Sequence, residues 1–83
     1  MNKEQARKDL NVVISLSRTI WKRLSLSAKK EYIVDKGIDA LFDIVLDICF
    51  FDYDILDNNR PRLNKVKREL FEIYQNELIA LRK

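Results

Sequence analysis

The chain has no histidine, one cysteine, one glycine and one proline among 83 residues. Each shortage excludes something. Without histidine the commonest metal ligand is missing, and acid–base chemistry falls to carboxylates alone. Carboxylates do such work only in a cleft that raises one of their pKa values. A single cysteine, Cys49, cannot form an internal disulfide or a structural zinc site. It sits among apolar neighbours, which predicts an inert core thiol. The sequence also lacks a glycine-rich phosphate loop, a nucleophile elbow and a paired-cysteine motif. A non-enzymatic protein with no cofactor and no metal is the expectation.

The scarcity of glycine and proline favours long helices with short connections over a turn-rich sheet fold. The first five residues lack the apolar run of a signal peptide. No uncharged apolar stretch reaches membrane-spanning length, because aspartates interrupt the best candidate. The expectation is a cytoplasmic protein whose thiol stays reduced.

What is present is 47 % apolar and 35 % charged, a globular composition. Chains of this length are marginal alone and commonly rely on disulfides, metals or a second copy. With the first two excluded, oligomerisation or a partner is the remaining route. Charge falls in three blocks. Residues 1–30 carry eight Lys/Arg against two acids, giving +6. Residues 31–59 carry one Lys against eight acids, giving −7. Residues 60–83 carry seven Lys/Arg against three acids, giving +4. An acidic middle that neutralises two basic flanks accounts for this pattern, with display to a charged partner as the functional alternative.

Apolar spacing predicts three helices, at about 3–24, 28–51 and 60–81. The first carries Ala6, Leu10, Val13, Ile20 and Leu24 on one face, with Ser17 in the same series. Asn2 is placed to cap it, with Gln5 as its reciprocal partner. A break follows at Ser25–Leu26–Ser27, where either serine suits an N-cap. The alternation from Lys22 to Ser27 also admits a short strand of the ribbon-helix-helix kind. That plan needs a turn at Gly37, through which the apolar spacing runs on undisturbed. The second helix takes Val34, Ile38, Leu41, Val45 and Ile48 as its stripe. Asp35, Asp39, Asp43 and Asp47 form an oblique row on nearly the opposite side. From Ile44 onward this helix is apolar almost all round, a pattern that normally means burial on more than one side. The Asp52–Asn59 segment reads as a turn with Ile55 and Leu56 tucked inward. Its aspartates do not make a calcium loop, since the glycine and glutamate positions hold Asp57 and Leu63. Pro61 suits the first turn of the third helix, whose seam is Leu63, Val66, Leu70, Ile73 or Tyr74, Leu78 and Leu81.

The expected fold is all-α: one domain over residues 1–83, a three-helix antiparallel bundle completed by homodimerisation. The expected function is a small protein-binding regulator or inhibitor. Its candidate contact residues are Leu46, Phe50, Phe51, Asp43 and Asp47, apolar anchors rimmed by charge. A DNA- or RNA-binding protein is the alternative, with Arg60, Arg62, Lys65, Lys67 and Arg68 as the anion site. Those cations crowd a helix start that is already partly positive, so counter-charge is expected nearby. Asp52, Asp54 and Asp57 are the candidates. A membrane-surface or immunity-type protein is the third reading, with basic helix 1 and Trp21 at the lipid. Small basic helical proteins occur among bacteriocin immunity proteins, phage-encoded inhibitors and antitoxins, and no motif here selects one.

Overall fold

The computed structural model describes Lys3 to Arg82, and those residues are helical without a strand. The Asn2 cap lies outside the described residues. Helix α1 spans Lys3–Arg23 and buries Leu10, Val13, Ile14, Ser17 and Trp21. Helix α2, Leu26–Glu31, begins after Ser25, whose Oγ accepts the Ala28 N–H at 3.1 Å. A π-helical turn, Tyr32–Lys36, leads to Gly37. Helix α3 is Asp39–Cys49, α4 the single turn Asp54–Asp57, and α5 Arg60–Arg82.

The three expected helices are thus five α-helices and a π turn among the described residues. The correction lies in the middle. Gly37 adopts φ +81 and ψ 147, a conformation essentially restricted to glycine, and ends the helix there. The continuous apolar spacing concealed this break. A π turn holds more residues than an α turn, so the chain before it and the chain after it are out of phase. Val34, expected on the buried stripe, is 65 % exposed, and Ile33 takes the inward place. Replacing Gly37 by Ala should cost about 1–2 kcal/mol from backbone strain alone. No atom lies within 4 Å of where the added Cβ would sit. Urea denaturation measures this, and an unchanged midpoint would show that the backbone relaxes freely there.

The legs are tied at definite heights. Arg62 Nη2 donates to Asn11 Oδ1 at 2.6 Å, and Arg18 grips Glu69 through Nε and Nη2 at 2.5 and 3.1 Å. The indole N–H of Trp21 donates to the Leu70 carbonyl at 2.9 Å. Contacts advance together along both chains, so α1 and α5 run parallel. On the return leg, Lys29 meets Glu77, and later Asp39 meets Lys67 and Arg60. That order is reversed along α5, so the return leg descends against it. Ile55 and Leu56 of α4 close the lower end of the core, in keeping with the turn reading.

Candidate functional site: an aromatic displayed on a left-handed residue

Helix α3 ends in a Schellman motif. Phe51 N–H donates to the Leu46 carbonyl at 3.0 Å, and Phe50 N–H to the Asp47 carbonyl at 3.3 Å. The motif requires a left-handed residue, and glycine usually supplies it. Here Phe50 does, at φ 58 and ψ 37, the sole non-glycine with positive φ among the described residues. A bulky side chain in that region costs about 1–2 kcal/mol. The strain gains no packing, since Phe50 is 93 % exposed.

Around Phe50 the site is partly ordered. The Tyr53 hydroxyl donates to Asp47 Oδ1, folding the tyrosine back along α3. That bond pushes the phenol pKa above its usual 10.0, with smaller contributions from desolvation and from the charges of Asp47 and Asp43. Asp52 Oδ1 accepts the Asp54 N–H at 3.0 Å and shapes the turn. Asp43 and Asp47 are exposed, Phe51 is half-buried, and Ile44 and Ile48 stand exposed on the same helix. The thiol of Cys49 is free and half-buried.

Two candidates move. Leu46, expected among the surplus apolar residues, is wholly buried. Ile48, expected on the buried stripe, is exposed. The cause is the shorter helix. A helix beginning at Asp39 turns Leu41, Phe42, Val45 and Leu46 inward, and Ile44 and Ile48 are left on its flank. Sequence reasoning missed Ile44 and Ile48 as a surface pair, although their i, i+4 spacing was visible.

The basic start of α5 is largely occupied. Arg60 pairs with Asp57 at 3.1 Å and with Asp39 at 3.6 Å, and Lys67 pairs with Asp39 at 3.1 Å. Arg62 donates to Asn11 and shares an open groove of about 610 Å³ with Lys3, Arg7, Asp52 and Asp54. Lys65 and Arg68 are exposed. Asp39 of the acidic row therefore supplies much of the counter-charge expected from the turn. Two residues of the basic N-terminal block also leave the surface: Trp21 on α1 is wholly buried, and Lys29 on α2 is 1 % exposed.

The chain matches no family model, no curated protein and no solved structure. Among the described residues no group of three metal-ligating side chains converges, and no helix is long and apolar enough to cross a membrane.

Proposed function

We propose that this protein is a small, non-enzymatic, protein-binding regulator whose partner closes over Phe50. The observation that carries the reading is the exposed phenyl ring on a left-handed residue. Strain held at an exposed aromatic is understandable where the ring is used in binding. Asp43 and Asp47 are exposed on the helix that Phe50 ends, and they favour a partner with cationic neighbours to an apolar pocket. A second copy of the chain belongs to this reading too, as the homodimer that completes the helical assembly.

The test separates strain from use. Phe50→Gly should raise stability by about 1 kcal/mol, because glycine relieves the left-handed strain. It should also abolish capture of the partner that the wild type retains from its native cell. A variant that is more stable and still captures that partner would remove Phe50 from the site.

Nucleic-acid binding through Arg60, Arg62, Lys65, Lys67 and Arg68 is the alternative. It has to compete with the Asp39 and Asp57 pairs. It predicts retention on a polyanion, lost steeply with salt. The membrane-surface reading loses its aromatic anchor with the burial of Trp21.

A further inference from the structure

The lower end of the molecule holds the groove of about 610 Å³ between the start of α1, the start of α5 and the turn that leads into α4. Phe50 does not line it. Its charges are sorted by wall. The two long helices supply the cations, Lys3 and Arg7 from α1 and Arg62 from α5. The turn and the first residue of α4 supply the acids, Asp52 and Asp54. Leu10 and Ile55, both buried, form an apolar floor.

The cations stand in a column. Lys3, Arg7 and Asn11 follow one another four residues apart on one side of α1, each about 6 Å above the last. Arg62 is bonded to Asn11 at 2.6 Å, so Arg7 stands between Lys3 and Arg62. Among the described residues, Lys3 and Arg7 have no ion pair, and none joins the column to Asp52 or Asp54. Arg60, which does not line the groove, is by contrast paired with Asp57 and Asp39. The groove therefore holds its two signs apart across an apolar floor, and the unpaired column repels itself.

We propose that this groove binds a short apolar peptide with both ends free. Its carboxylate lies against Arg7 in the middle of the column, its ammonium reaches Asp52 and Asp54, and its side chains cover Leu10 and Ile55. The charge pattern selects this class. A plain anion drawn to the column is repelled by the acids, and a plain cation meets the reverse. A molecule carrying both signs satisfies both walls. Because the walls do not pair with each other, the ligand's charges must be set apart by a body between them. A free amino acid carries both on one carbon and cannot span the gap. The volume also suits a peptide of two or three residues, since small-ligand sites measure about 300–1,000 Å³.

Titration calorimetry with tri-leucine tests the site. The expected result is saturable binding with a Kd of about 100 μM or tighter. Acetylating the peptide's ammonium or amidating its carboxylate should each weaken binding about fivefold, the size of a partly solvated ion pair. Free leucine should bind at least about tenfold more weakly than tri-leucine. Asp54→Asn should remove most of the penalty for acetylation, and Arg7→Ala most of the penalty for amidation. Both positions are exposed, and neither side chain makes a bond among the described residues, so helical circular dichroism should not change. No saturable binding below about 1 mM overturns the proposal. So do equal affinities for the blocked and free peptides, and so do blocking penalties that persist in the two variants. Leucine binding as tightly as tri-leucine overturns the span. Phe50→Gly should leave the affinity unchanged, which separates failure here from failure at the Phe50 end. Loss of tri-leucine binding in that variant would place the peptide on Phe50 and overturn the groove.

Discussion

Trp21→Ala is expected to lose about 3–5 kcal/mol and to leave much of the chain unfolded at room temperature. Trp21 is the largest fully buried side chain. Its indole spans the junction of three elements. It grows from the end of α1, donates to the Leu70 carbonyl of α5, and lies 6.1 Å from the Tyr32 ring at the π turn. Truncation to Ala empties that junction, and the neighbours can close it only partly. The whole stability of a small domain is about 5–15 kcal/mol, so one such cavity takes a large share. Trp21→Phe should cost less, about 1–2 kcal/mol, because it keeps most of the buried area and loses the hydrogen bond. Urea denaturation followed by circular dichroism gives both values. A loss below about 1 kcal/mol for Trp21→Ala would show that this junction does not hold the legs together.

The second large effect is expected at Lys29. Its side chain is 1 % exposed, and its ammonium meets Glu77 Oε1 at 2.5 Å. Glu77 is 41 % exposed, so one end of the pair still touches water. Glu77→Ala should cost about 2–3 kcal/mol, below the range for a fully enclosed pair. The loss comes mainly from the buried cation left without its carboxylate. Lys29→Met should be close to neutral, because it removes the charge and keeps the packing stem. The double variant should then recover most of what Glu77→Ala loses. A double-mutant cycle measures that recovery. Equal losses for Glu77→Ala in the wild type and in the Lys29→Met variant would show that the pair is not coupled.

Lys29 also marks where local reading stops. In the sequence it is one of a run of cations beside a serine cap, with nothing to distinguish it from Lys30. Lys30 is exposed, and Lys29 is enclosed because α2 lays that side of its turn against α5. The partner, Glu77, is 48 residues away. The same holds for Asp39. Its place in the row of aspartates was visible, but its pairing with Lys67 and Arg60 depends on how the return leg descends. Leu46 and Phe50 differ for another reason. Both lie in one apolar run, and only the register of a helix starting at Asp39 and ending in a left-handed turn sends one inward and the other out.

The sequence by itself determined the all-α class, the extent of the first and last helices, a serine cap at either Ser25 or Ser27, and the turn with Ile55 and Leu56 inward. These rest on local physics: apolar period, capping side chains and turn chemistry act within a few residues. Tertiary structure alone decided the π turn at Tyr32–Lys36, the burial of Lys29 and Leu46, and the exposure of Ile44 and Ile48. A phase slip between two helical segments leaves the apolar spacing nearly unchanged, and only packing against α1 and α5 shows which phase is buried. The choice of ion-pair partners has the same cause, since charges many residues apart meet only after the legs are set side by side.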